Sequence, residues 1–248
     1  MDGTPLREGP LRVGSAADGA LRTLTLTRPD KANALDAASV EALTQALQGA
    51  VAEGKPVAVT GEGRAFSGGF DFTGVEEQSG GDLLLRFVRI EALLQEVRHA
   101  PVVTVALVGG AAFGAGADLA AACAYRLGSP EAKFRFPGFR FGVALGTRRL
   151  ASVVGPDAAR AILLENKTVG AEEALKLGLL THLVERADLL STAETLLAAH
   201  KGMAPASTAR LLALTAPDTR DADMADLVRS LAPEGLHERI AAYRAGHR

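Results

Sequence analysis

The sequence predicts a single α/β domain, on three observations. Short β-branched apolar runs alternate with amphipathic helical patterns through the first half of the chain. Two glycine-rich segments each follow such a run. Helical patterns then dominate beyond residue 146. Residues 1–19 read as a frayed or strand-forming terminus. Ala20 to Thr27 alternates with period two, and Arg28-Pro29-Asp30 breaks it. Asp36 fits a helix N-cap ahead of Val40, Leu43, Leu47 and Val51, and Gly54 fits the stop. Pro56 to Thr60 reads as a buried strand, and Leu83, Phe87, Ile90, Leu94 and Val97 mark a long amphipathic helix. The run 102–108 is apolar throughout, as in a strand covered on both faces. It leads into an alanine-rich helix that ends near Cys123. Helices are expected over 147–154, 156–164, 171–177, 188–200 and 234–245, with strand-like Thr181 to Val184 between them.

Bulk properties restrict the function classes. With 248 residues, 48% of them hydrophobic, the chain can bury a sizeable core. The single cysteine excludes an intramolecular disulfide framework and fits a reducing compartment. A net charge of −2 with interspersed signs gives no footprint for nucleic acid or anionic membrane. No run approaches the ~20 apolar residues of a membrane span, and no signal-peptide centre is present, so a cytoplasmic location is expected.

The chemistry is expected in the glycine-rich segments 61–72 and 108–123. Glycine allows close backbone approach, and free N–H groups at a helix start bind anion-like oxygens. The first segment lacks the Gly-Lys-Ser/Thr ending of a P-loop, and the second lacks the third glycine of a dinucleotide fingerprint. Two N–H donors converging on one oxygen fit an oxyanion hole better.

The motifs RPDKANALD (28–36), GEGRAFSGGFD (61–71) and VGGAAFGAGAD (108–118) resemble those of the enoyl-CoA hydratase/isomerase, or crotonase, family. FRFPGFRFG (134–142), RRLASVVG (148–155) and GAEEALKLGLLTHLV (170–184) continue the likeness in order. The resemblance implies a crotonase-type spiral of ββα units with a helical C-terminal region. The spiral core would span 1–190, and 191–248 would be a helical trimerisation region of the same domain. It implies no separate cofactor, a coenzyme A thioester as substrate or ligand, and assembly as a homotrimer or a dimer of trimers.

By the same resemblance, the backbone N–H groups of Gly68 and Ala115 would hold the thioester oxygen. Gly68, Gly69, Phe70 and Asp71 would line the acyl-CoA channel. Lys31, Ala32 and Ala34 would meet the adenine end, with Lys31 near phosphate. The family polarises the thioester carbonyl to stabilise an enolate, and its hydratases use two glutamates. The first aligns with Asp118, and the second aligns with Gly138, which carries no proton. Phe70 replaces a small residue and is expected to narrow the channel, and the 142–149 loop is shorter than the family pattern by about three residues. Isomerase- or decarboxylase-like chemistry is therefore expected in preference to hydration, with a non-catalytic acyl-CoA-binding protein as the alternative. Nucleophilic attack by Asp118 is a third reading.

Asp118 is the best titratable candidate, three residues past Ala115 on the same helix. Its position near the helix N-terminus is expected to favour the carboxylate, weakening it as a base. An acid in a first helical turn also has a purely structural reading. Ser67 lacks the G-x-S-x-G elbow, and Cys123 reads as a small core residue. His99, His182, His200, His237 and His247 lack metal-ligand spacing, and His99 reads as a C-terminal helix charge. Arg135, Arg140, Arg148 and Arg149 are expected on the surface or at a subunit contact. The alternation of Phe134, Phe136, Phe139 and Phe141 favours a packed strand or pocket wall.

Overall fold

The computed structural model describes residues 9–200 and 202–246. In chain order, β1 (Leu11–Ala16) and β2 (Leu21–Leu26) precede α1 (Ala37–Ala52). Three turns of a spiral follow, each laying one strand in each of two sheets and then a helix. The first is β3 (Val57–Gly61), β4 (Ala65–Ser67) and α2 (Gly80–Arg98). The second is β5 (Thr104–Val108), β6 (Ala111–Phe113) and α3 (Ala115–Ala122). The third is β7 (Tyr125–Gly128), β8 (Lys133–Arg135) and α4 (Thr147–Val154). The chain continues through α5 (Pro156–Glu165), β9 (Val169–Gly170), α6 (Ala171–Lys176) and β10 (His182–Leu183). It ends in α7 (Leu189–Ala199), α8 (Pro205–Thr215), α9 (Arg220–Leu231) and α10 (Leu236–Ala245).

The six-stranded sheet has the order β1-β2-β3-β5-β7-β10, parallel except for the β1–β2 hairpin. The four-stranded sheet has the order β4-β6-β8-β9. This is the ββα spiral that the resemblance implied. The short strands β4, β6, β7 and β8 were not expected as separate elements. They have two to four residues per partner register, too few for a period-two pattern to emerge.

The elements form where local chemistry favours them. The Asp36 carboxylate accepts the Ser39 amide at 2.7 Å and starts α1. Helix α2 begins at Gly80, ahead of its apolar stripe, because Ser79 and Asp82 form a reciprocal capping box. Its Leu83, Phe87, Ile90, Leu93, Leu94 and Val97 are buried, each contributing roughly 1.5–3 kcal/mol relative to exposure. Helix α3 is buried along its whole length, so only small side chains fit around most of it. Helices α8 and α9 were not expected. Helix α8 buries no residue within this chain and therefore carries no core-facing stripe, while α9 is interrupted by acidic residues.

A hydrogen-bonded knot fixes the entry to α1 against the β3–β4 turn. Ala32 and Asn33 both adopt left-handed backbone, at φ 49° and 55°. The buried Asn33 amide donates to the carbonyls of Glu62 and Ala65 at 2.9 and 2.8 Å, and its oxygen accepts the Arg28 amide. The Ser67 hydroxyl donates to the Asn33 carbonyl at 2.9 Å. Replacing Asn33 by alanine orphans these buried groups, at roughly 1–3 kcal/mol per group. Thermal unfolding of Asn33→Ala is expected to show a melting temperature lowered by at least about 4 °C.

Candidate active site

A cavity of about 140 Å³ lies between the two glycine-rich segments, helix α3 and the C-terminal helix α10. Seven of the nine phenylalanines line it, together with Tyr243, one of only two tyrosines. Gly68, Gly114, Ala115 and Asp118 supply its polar end. A larger cavity of about 310 Å³ lies on the opposite face of the six-stranded sheet, lined by Thr23, Thr25, Thr60 and Arg186. It contains no carboxylate or imidazole, whereas the smaller cavity holds Asp118.

The polar end is made by two backbone segments crossing in contact. A Cβ at Gly69 would stand 2.9 Å from the Ala115 nitrogen and closer still to the Phe113 carbonyl oxygen. One at Gly116 would stand 2.7 Å from the Ser67 Cβ. Neither position accepts a side chain, which explains the SGG and GAG sequences at the crossing. Ser67 is thereby accounted for structurally: it is fully buried, donates to Asn33 and accepts the Gly69 amide at 3.2 Å.

One of the two expected amide donors requires correction. Gly68 lines the cavity, but its N–H donates to the Ala32 carbonyl at 2.7 Å and is not free. The bridge between Leu35 and Phe70 explains which amide is free instead. Leu35 donates to the Gly69 carbonyl and Asp71 donates to the Leu35 carbonyl, so the intervening Phe70 N–H turns away from that partner strand. Among the described residues the Phe70 amide has no acceptor. Neither has the Ala115 amide, the first N–H of α3. Phe70 and Ala115 both line the cavity, one from each of the crossing segments.

Other expected contacts divide in two. Lys31 and Ala32 are exposed and Ala34 half-buried on the loop beside the crossing. Ala32 and Ala34 also serve the knot through their carbonyls, which accept from Gly68 and Arg28. The Asp71 carboxylate is engaged by Arg28 at 2.8 Å and by the Thr73 amide at 2.9 Å. Burial alone would raise its pKa, but the hydrogen bonds from Thr73 and Arg28 together hold it below the usual carboxylate range. Asp71 anchors its loop through these bonds.

Asp118 lies on the fully buried α3 with its carboxyl against the Gly146 backbone, and no hydrogen bond to it is found among the described residues. The expected helix-terminus effect is overridden. Burial drives its pKa well above the ordinary value, the Arg149 charge opposes this, and Glu91 adds to it. The neutral form of Asp118 is thus favoured over its ordinary balance.

The Arg149–Glu91 pair was not anticipated. Arg149 was expected near the surface, but it is buried and donates to Glu91 at 2.7 Å, also buried. Burial raises the Glu91 pKa, opposed by Arg149 and Gln95. Glu91 interrupts the apolar stripe of α2, which was the one signal in the sequence. The other arginines bond on or near the surface: Arg148 to Asp223 at 3.0 Å, Arg135 to Asn166 and Arg140 to the Leu164 carbonyl.

Gly138 lines the same cavity, and a Cβ there would lie 2.7 Å from the Val143 carbonyl oxygen. No side chain fits that position without moving the loop. Phe136, Phe139 and Phe141 form cavity wall, while Phe134 is buried in β8. Cys123 is buried, and burial pushes its thiol up to about 12. His99 stands at the C-cap of α2, where burial and then Arg220 lower its pKa. His182, His200 and His237 bond to Thr181, Tyr125 and the Gln78 carbonyl. His247 lies outside the described residues, among which no three metal-ligating side chains converge.

Similarity to known proteins agrees with this fold. The enoyl-CoA hydratase/isomerase family model matches residues 17–233. A Mycobacterium bovis protein carrying an enoyl-CoA hydratase name is 35% identical over 180 residues, 71% of this chain and 72% of that one. A Rhodobacter capsulatus protein with an enoyl-CoA hydratase name is 38% identical over 172 residues, 68% of this chain and 66% of its own. A Bordetella parapertussis crystal structure assigned by name to the enoyl-CoA hydratase/isomerases superposes with a TM-score of 0.92 at 44% identity. It covers 96% of this chain and 99% of the other. With a family model matching most of its length and relatives above 30% identity, the chain belongs to the enoyl-CoA hydratase/isomerase family.

Proposed function

We propose that the protein binds an acyl-CoA thioester with its carbonyl oxygen on the Phe70 and Ala115 amides, and that it acts through the thioester enolate. The observation that carries this reading is the pair of free amides at the polar end of one apolar cavity, beside a single buried carboxyl. Preorganised donors aimed at an oxygen stabilise the charge that develops there, each worth about 2.7–4 kcal/mol of barrier in comparable sites. The Ala115 amide also stands at the N-terminus of α3, whose dipole favours negative charge. No metal or cofactor enters this scheme. Lys31, Ala32 and Ala34 are proposed to meet the coenzyme's nucleotide end, with the exposed Lys31 available to a phosphate.

Asp118 is the proposed proton-transfer group. In its ionised form it takes a proton from the α-carbon, and in its neutral form it returns one, to the same carbon or a conjugated one. Such a step serves isomerisation, and proton delivery alone serves decarboxylation. Hydration needs a second group to handle the water proton. The place where the family's second glutamate would stand is Gly138, closed against Val143. The non-catalytic binding alternative differs in one respect, that Asp118 exchanges no proton with the ligand.

The C-terminal helices are proposed to assemble copies of the chain into a homotrimer or a dimer of trimers, with 191–248 as the assembling region. Helix α8 supports this, since Leu211 and Leu214 stand 50% and 68% exposed on a helix that buries nothing within its own chain.

Two outcomes are expected. The protein exchanges the α-protons of propionyl-CoA with deuterated water, followed by NMR, while crotonyl-CoA is hydrated at far below the 1–10³ s⁻¹ of ordinary enzymes. Asp118→Asn abolishes that exchange; unchanged exchange removes Asp118 from the mechanism. In the parent protein the rate rises with pH through a value above the ordinary carboxylate pKa, as the base form appears. The same raised pKa carries a stability cost. The stabilisation from burying the neutral acid is full below the unfolded pKa of about 3.9 and declines as pH rises toward the folded value. Asp118→Asn is therefore expected to melt higher than the parent at pH 7, by about 2–4 °C per kcal/mol relieved, with the difference vanishing near pH 3.

The assembly reading is tested by sedimentation. The double substitution Leu211→Asp with Leu214→Asp is expected to give monomers where the parent gives trimers or hexamers. A parent that sediments as a monomer contradicts it.

A further inference from the structure

The shape and lining of the cavity carry the thioester reading further, to the class of acyl group. Aromatic residues are scarce in this chain, which has no tryptophan, yet most of them converge on this one space. Their positions are fixed. The Phe70 ring is stacked on Phe87 with centroids 4.3 Å apart and planes 8° from parallel. Its ring also carries the Arg86 guanidinium 4.0 Å from the centroid, and Arg86 is itself anchored to the Asp71 carbonyl and to Gln78. Phe70 also meets Phe72 edge to face at 5.1 Å, and Phe141 packs on Tyr243 at 5.1 Å.

A cavity of about 140 Å³ so enclosed resembles in size the engineered apolar cavity of about 150 Å³ that binds benzene. Its volume is well below that of a long fatty chain and well above that of a methyl group. The polar end fixes the register. With the carbonyl on the Phe70 and Ala115 amides and the α-carbon beside Asp118, the remaining space begins one carbon beyond the carbonyl. Fixed aromatic walls there suit a flat ring, which packs face to face and edge to face at the same spacings.

We infer that the acyl group is an arylacetyl group, a single planar ring carried on the α-carbon of the thioester. This inference rests on the thioester reading and adds a chemical reason for one carboxyl to suffice. When the Asp118 carboxylate takes the α-proton, the C–H bond breaks and the O–H bond forms. The electron pair delocalises into both the thioester carbonyl and the ring. Return of the same proton closes the cycle with no other reactant.

The test is a calorimetric binding panel on the intact protein with free CoA, acetyl-CoA, phenylacetyl-CoA and octanoyl-CoA. Phenylacetyl-CoA is expected to bind at least tenfold tighter than either acetyl-CoA or octanoyl-CoA. Octanoyl-CoA binding as tightly or tighter overturns the aromatic class and leaves the thioester reading standing. Acyl-CoAs that bind no better than free CoA sink the thioester reading and this inference together. Phe72→Ala, which opens the half-buried part of the wall, is expected to reduce the phenylacetyl-to-octanoyl preference by at least threefold. An unchanged preference in that variant places the ring elsewhere and overturns the inference.

Discussion

Backbone contact between residues 67–70 and 113–116 is the constraint on which the site depends. Gly69 presses on the Ala115 nitrogen and Gly116 on Ser67, so the two segments meet without side chains between them. The contact is held from behind by the Asn33 knot, the Arg28–Asp71 ion pair and the Leu35–Phe70 bridge. The knot and the bridge satisfy backbone groups that would otherwise be buried without partners. They leave the Phe70 and Ala115 amides without an acceptor, and both residues line the aromatic cavity. The arrangement costs no reorganisation when a carbonyl arrives, which is why such donors are effective in a space with little water.

The same enclosure governs the acid. A carboxyl on a helix without exposed positions loses its hydration, and the nearby cation is already taken by Glu91. Two buried carboxyls share one guanidinium, and the one without the direct contact has its pKa raised well above the ordinary value. The helix N-terminus works against this, but its contribution of roughly 0.3–1 kcal/mol is smaller than the desolvation of an ion. Asp118 is thus tuned by its surroundings more than by its place on the helix.

Much of the fold was legible because the long elements carry periodic signals. The α1 N-cap at Asp36, the α2 stripe and the covered strand near 104–108 all fell where sequence patterning put them. The short strands of the second sheet did not, since their register depends on the spiral bringing distant segments together. Two glycine segments and one acid were legible in the sequence as a candidate site, and Ala115, Phe70 and Asp118 line one cavity. Sequence could not say which amide was free, because that follows from the Gly68–Ala32 hydrogen bond across the loop. Nor could it see that Arg149 turns inward to Glu91, or that Tyr243 reaches the cavity from the last helix. Those are tertiary facts without a local spacing to announce them.

The central claim is that one carbonyl oxygen sits on the amides of Phe70 and Ala115. A crystal structure with a stable acyl-CoA analogue, its sulfur replaced by a methylene group, tests it directly. The account predicts the acyl oxygen within about 2.7–3.2 Å of both nitrogens, with Asp118 beside the α-carbon. An acyl oxygen lodged away from both amides contradicts it.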